Sequence, residues 1–251
     1  MKEKTNISSN DNTLLKADIR RLFTTSRLWI FLFICLLSPV LILTMTSGFG
    51  GEGAGMVFSG TWDLIGSVGG EMGMDMSVMM NINLLYFVAG IFICLFVADD
   101  FRSGYSKNLF TIRAKKSRYV LAKTMTGIIA GALMLITFFI GTVIGGAISG
   151  LPFALGTTGI FNLAMCMIAK VLLMGVMIPI FVTVASFGRG RSWLSILISM
   201  IVGMFLFMII PMVSPLNSGP MNVLLSLAGA AMFMFGMGSI STIILKKSDL
   251  V

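Results

Sequence analysis

Six apolar runs, each long enough to cross a bilayer as a helix, occupy most of this sequence. They are residues 28–46, 79–98, 120–149, 160–187, 193–212 and 223–245. A hydrocarbon core about 30 Å thick needs about 20 apolar residues at helical rise. Run three is too long for a straight crossing, so it is expected to tilt or to extend past the bilayer. Pro39, Pro179 and Pro211 are expected kinks in runs one, four and five. With 57% hydrophobic and 11% charged residues, little is left from which to build a water-soluble domain.

The charges fix an orientation. Of 18 Lys and Arg, six precede run one, seven lie between residues 99 and 123, Arg189 and Arg191 join runs four and five, and Lys246 and Lys247 follow run six. The connections 47–78, 150–159 and 213–222 hold none. Basic residues stay on the cytoplasmic side, so both termini are expected there. The basic surface then faces the cytoplasm and anionic lipid, and no nucleic-acid partner is implied.

About 27 residues precede run one and no A-x-A cleavage site follows, so the first span is expected to remain as an anchor rather than to be a cleaved signal. Residues 1–12 are polar and expected to lack order. Over residues 13–27, Leu15, Ile19, Leu22 and Phe23 share one helical face, while Lys16, Arg20, Arg21 and Arg27 lie off it. That pattern predicts an amphipathic helix on the inner leaflet.

The outer segment 47–78 carries only acids, Glu52, Asp63, Glu71 and Asp75, and Trp62 is expected to anchor a short interfacial helix over residues 61–80. Methionines in residues 72–80 admit a soft-metal reading through their thioethers. With 22 Met in the chain, packing against lipid and neighbouring spans is the plainer reading, and no metal site is expected. Gly127 with Gly131 and Gly141 with Gly145 have small-xxx-small spacing in run three, and Gly236 and Gly238 lie in run six. Such faces pack within one chain or between two.

Lys170 is the one cation outside those basic clusters and lies inside run four. It lies about 15 Å into run four if that run begins at Ile160. Three readings stand: it lines a translocation path, it bonds to backbone carbonyls near a kink, or the span starts later and it reaches the outer interface.

Several chemistries are excluded. There is no histidine, hence no His-based triad, zinc site or histidine proton relay. Cys35, Cys94 and Cys166 lie inside apolar runs without C-x-x-C spacing, so neither a disulfide framework nor a thiol metal site is indicated. No phosphate-binding G-x-x-x-x-G-K-[ST] loop is present, so ATP hydrolysis by this chain is not expected. No Asp or Glu lies within the runs for ion coupling. Asp99 and Asp100 fall just past run two.

Residues 99–123 are the most charged internal segment: two acids, then Arg102, Lys107, Arg113, Lys115, Lys116, Arg118 and Lys123. The segment reads as a break at Ser103-Gly104, a short helix over residues 107–112 and a basic turn into run three. Leu109, Phe110 and Ile112 are apolar in this charged setting and are expected to fill a groove on a soluble partner. The acidic pair, Arg102-Ser103-Gly104, the short helix, Ser117-Arg118 and Lys123 together resemble the first cytoplasmic loop of type-2 ABC exporter permeases. Tyr105 and Lys116 stand where that family often has Thr and Pro.

The resemblance implies an all-α membrane protein: six transmembrane helices, an N-terminal amphipathic helix, and a coupling helix between spans two and three that docks on a separate ATPase. One transmembrane domain covers the chain, with 1–27 and 246–251 cytoplasmic and 28–245 spanning. Asp99, Asp100, Arg102, Gly104, Lys107, Leu109, Phe110, Arg113, Lys115 and Arg118 are the implied coupling residues. Two ATPase subunits, carrying ATP and Mg, and a second permease chain, as a homodimer, are the implied partners in the plasma membrane of a bacterium. Relatives of this compact layout include bacteriocin-immunity and phenol-soluble-modulin exporter permeases, which points to amphipathic peptide or lipid-like cargo. The rival classes are an ATP-independent channel or secondary carrier, and a non-transporting assembly or sensor subunit.

Overall fold

The computed structural model describes residues 9–48, 60–66, 81–111, 115–155, 159–188, 191–207 and 213–247. Among the described residues the elements are all helical: α1 (Ser9–Thr24), α2 (Ser26–Gly48), a 3-10 turn (Thr61–Leu64), α3 (Leu84–Arg102), α4 (Tyr105–Thr111), α5 (Lys116–Ser149), α6 (Ile160–Gly188), α7 (Ser192–Phe207) and α8 (Pro220–Lys247). Helices α2, α3, α5, α6 and α8 are long and apolar enough to span a bilayer. Run five differs from expectation. Its described part, α7, has 16 residues, about 24 Å at helical rise and short of a full crossing. Residues 208–212, with Pro211, lie outside the described part.

The exterior is apolar and the interior holds polar groups. Trp29, Phe33 and Leu41 on α2, Ile136, Ile140 and Ile148 on α5, and Leu224 and Phe235 on α8 all point outward. A surface of that kind is stable against lipid and would aggregate in water. Several buried hydroxyls bond to their own helices, as Thr142 Oγ1 does at Phe138 O (3.0 Å) and Thr183 Oγ1 at Pro179 O (2.7 Å), whereas Thr126 and Ser226 do not. In lipid an unbonded hydroxyl has no water to turn to.

Helix α6 runs through the centre, with Met174, Met177, Ile178, Phe181 and Val182 buried. Glycines set how closely its neighbours approach. A Cβ at Gly141 would collide with the Leu36 carbonyl of α2, and one at Gly145 would lie 2.9 Å from Val40 Cα. Helices α2 and α5 therefore touch backbone to backbone. Gly127 and Gly131 make room on α5 for Ile178 and Met174 of α6. Gly175 on α6 receives Ala230 of α8. The glycine face of run three thus packs within the chain, whereas Gly236 and Gly238 have nothing within 4 Å.

The ends of the helices sort by charge. Hydrogen bonds and ion pairs bring together α1, the start of α2, the end of α3, the start of α5 and the end of α8. This is the basic end. At the opposite end the 3-10 turn clamps onto the exit of α5. Thr61 N donates to Pro152 O (3.2 Å), Trp62 Nε1 to Phe153 O (2.9 Å), and the Trp62 ring stacks on Phe139. Of the interfacial helix expected over 61–80 only this four-residue turn falls in the described part, and residues 67–80, with the whole Met-rich stretch 72–80, lie outside it.

Candidate functional site

At the basic end four charged side chains meet inside the protein. Lys123 and Asp100 are fully buried and Asp18 is 1% exposed. Lys123 Nζ donates to Asp18 Oδ1 at 2.7 Å and pairs with Asp100 Oδ2 at 2.7 Å. Arg21 pairs with Asp100 Oδ1, and Tyr119 Oη donates to Asp100 Oδ2 at 3.0 Å. Two cations face two carboxylates, so the cluster is neutral. Burial without that balance would be prohibitive.

Local structure supplies each member. Asp18 and Arg21 are one turn apart on α1, Asp100 lies in the last turn of α3, and Tyr119 and Lys123 are one turn apart at the start of α5. Aromatic rings wall the cluster. Lys123 Nζ lies 4.6 Å from the Phe96 ring centre and 5.4 Å from that of Tyr119, while the Arg21 guanidinium lies over Phe96 and Tyr105. Ring faces stabilise cations while excluding water. At the rim, Arg27 pairs with Asp99.

Burial raises the Asp18 carboxyl above its ordinary 3.8, against the pull of Lys123. Its second oxygen, Oδ2, is buried without a partner, which accords with that direction. Burial works to lower Arg21, but the charges of Asp100, Asp18 and Asp99 prevail and raise it. Burial raises the Tyr105 hydroxyl, with Asp18 and Asp100 adding to the effect.

Helix α4 hangs from this cluster. Ser103 ends α3, and Gly104 at φ 73° turns the chain sharply. A side chain there would be strained in the left-handed region. Ser106 Oγ donates to the Asp100 carbonyl at 3.2 Å, and Phe110 meets Tyr119 edge to face with centres 5.4 Å apart. Leu109 and Phe110 are half-buried and pack against the chain's own core instead of standing free for a partner. The face turned outward is Lys107, Asn108 and Thr111, continued by Arg102 and Lys115. Arg118 is half-buried, and Ile112 and Arg113 lie outside the described residues. The short helix expected over 107–112 is found at Tyr105–Thr111.

Sequence reasoning missed Asp18 and Arg21. It set Leu15, Ile19, Leu22 and Phe23 on one apolar face against the inner leaflet, whereas the face packed into the protein is centred on Asp18 and Leu22, and Phe23 is 43% exposed. Asp18, an acid one turn before Arg21 and among three other bases, was the available signal.

Lys170 sits far from this cluster, near the opposite end. It is fully buried, and Nζ donates to Asn83 Oδ1 (3.0 Å), Ser214 O (3.3 Å) and Ser214 Oγ (3.1 Å). Tyr86 Oη donates to the Lys170 carbonyl at 2.9 Å. Asn83 caps the start of α3, so Lys170 is level with the end of that span rather than with its middle. Its three protons are all accepted within the protein, which accounts for a buried cation there.

Against known sequences, the family described as ABC-2 family transporter protein matches residues 24–206, well over half of the chain. The protein belongs to the ABC-2 transporter family. It is thus a multi-pass membrane component of an ABC transporter, a permease that is not itself catalytic. Permeases of this family work with an ABC ATPase in general. The match takes in α2 to α7, including Asp100, Tyr119 and Lys123 of the cluster, while Asp18 and Arg21 of this permease precede it. No curated protein and no solved structure matches the chain.

Proposed function

We propose that this permease forms the membrane pathway of an ABC exporter that moves amphipathic peptide or lipid-like cargo outward, driven by a separate ATPase. Two permease chains of six spans each, run five completing the sixth, associate as a homodimer over two ATPase subunits that carry ATP and Mg. Both termini and the α3–α5 loop face the cytoplasm of a bacterial cell. Helix α4 is the coupling helix. Its outward face, with Arg102, Lys107, Asn108, Thr111 and Lys115, meets the ATPase, while Leu109 and Phe110 fix it to the bundle.

The observation that carries this reading is the neutral, largely buried charge cluster at the root of α4, in which Arg21 alone reaches the surface. A surface loop with no mechanical duty has no need to be bolted to three helices. Closure of the ATPases on ATP would push α4, and the cluster would pass the movement jointly to α1, α3 and α5. Asp100, though buried, acts as the pivot and makes no direct contact with the ATPase. Helix α1 lies on the inner leaflet and steadies the pivot. Membrane-facing apolar surface and small external connections support cargo entering from the bilayer or cytoplasm.

The test is affinity capture of the permease with its cognate ATPase. Lys107→Glu with Thr111→Glu should lower capture at least tenfold, the reversed charge and the added one each costing about 1 kcal/mol. Thermal stability should stay unchanged. A well-folded permease that never binds an ABC ATPase would refute the reading.

A further inference from the structure

A groove of about 440 Å³ opens between the start of α5 and the end of α8 at the basic end. We propose that it is a binding site for one anionic phospholipid of the leaflet on that side. Three features of the groove select such a ligand.

Its length matches one leaflet. On α8 the lining runs from Met234 to Lys246, about 18 Å at helical rise. Half of a hydrocarbon core about 30 Å thick is comparable.

Its polarity is graded in the same direction. Lys246 and Ser117 stand at the outer lip, where a headgroup lies, and Leu121, Thr124, Phe235 and Gly238 line the deeper part. Leu121 and Phe235 are 59% and 79% exposed, so the groove opens sideways to the membrane. A Cβ at Gly238 would meet nothing within 4 Å, which leaves the floor free for an acyl chain.

Its charge is unbalanced. Lys246 lines the groove, Lys115 and Lys247 are exposed beside it, and the described residues 115–124 and 234–247 hold no carboxylate. Lys116 Nζ is committed to the Leu245 carbonyl at 2.6 Å, which pins the two helix ends at a fixed spacing. Lys246 is exposed at the lip. Basic side chains at the membrane surface attract anionic headgroups. The occupant is therefore a phospholipid with a net negative head rather than a zwitterionic one.

Native mass spectrometry of the full-length permease, delipidated in mild detergent and titrated with phosphatidylglycerol or phosphatidylcholine, tests this without any ATPase. One phosphatidylglycerol per chain should be retained over phosphatidylcholine. Lys246→Gln should weaken that preference about fivefold, the effect of one surface cation, while Lys247→Gln should change it little. Gly238→Leu should lower retention of both lipids, since its side chain grows into the groove and not into the core. Equal retention of the two lipids, or equal effects of Lys246→Gln and Lys247→Gln, would overturn the proposal. Efficient disulfide formation between two chains carrying Gly238→Cys would also overturn it by making the groove a seam between copies. Because the lipid is read out on the permease alone, failure here leaves the exporter reading standing, and loss of ATPase capture leaves this site standing.

Discussion

Replacing Lys123 with Met tests the buried cluster most directly. Methionine has nearly the same length, so little packing is lost. What disappears is the ammonium between Asp18 and Asp100, 2.7 Å from an oxygen of each. At an effective dielectric of about 20, each contact is worth about 6 kcal/mol before desolvation is counted. Returning Lys123 to water recovers part of that, and the net cost of orphaning a buried partner is about 3–5 kcal/mol. Equilibrium unfolding of the permease in mixed micelles with rising SDS should show a loss of that size. Adding Asp18→Asn should then restore at least half of it, because Asp100 keeps Arg21 and the cluster is neutral again. Adding Asp99→Asn should restore nothing, since Asp99 pairs with Arg27 at the rim. A Lys123→Met variant within about 0.5 kcal/mol of the parent, below the cost of any buried charge, would refute the reasoning. So would simple additivity with Asp18→Asn.

The pH profile follows from Asp18, whose carboxyl is raised above 3.8 by burial. The folded state then holds this proton more tightly than the unfolded chain, so the group's contribution is full below about pH 4 and declines as pH climbs through the raised value. Asp18→Asn should remove that slope from an unfolding-versus-pH series. Gly141→Val should force α2 off α5 and cost about 1–3 kcal/mol in the same unfolding assay, whereas Gly236→Val, in open space, should cost less than about 0.5 kcal/mol. Lys170→Met should leave Asn83 Oδ1 without its lysine donor and cost about 1–3 kcal/mol. Unchanged cargo-stimulated ATPase activity in that variant would assign Lys170 to structure and remove it from the pathway.

The spanning helices were legible because a bilayer imposes length and apolarity directly on sequence. Runs 120–149 and 160–187 reappear as Lys116–Ser149 and Ile160–Gly188, with the small differences at their polar ends. The loop 99–123 was legible as the centre of interest because its charges contrast with everything around them. Which of those residues act inward was not. Asp100 and Lys123 look like ordinary rim charges until Asp18, separated from Lys123 by 105 positions, is folded against them. Leu109 and Phe110 looked unpartnered because Tyr119 and the bundle core, which cover them, are supplied by tertiary packing. Lys170 was ambiguous for a similar reason, since depth along one helix says nothing of whether Asn83 and Ser214 are waiting beside it.

The glycine contacts divide the bundle mechanically. Where Gly141 and Gly145 bring α2 and α5 together, main chain rests on main chain, and sliding would have to break rigid peptide planes apart. Where Gly127 and Gly131 receive the Ile178 Cγ2 methyl and the Met174 thioether, the seam between α5 and α6 is filled by side chains, not main chain. A push delivered at one end should therefore carry α2 and α5 as a single block and be absorbed as shear along α6.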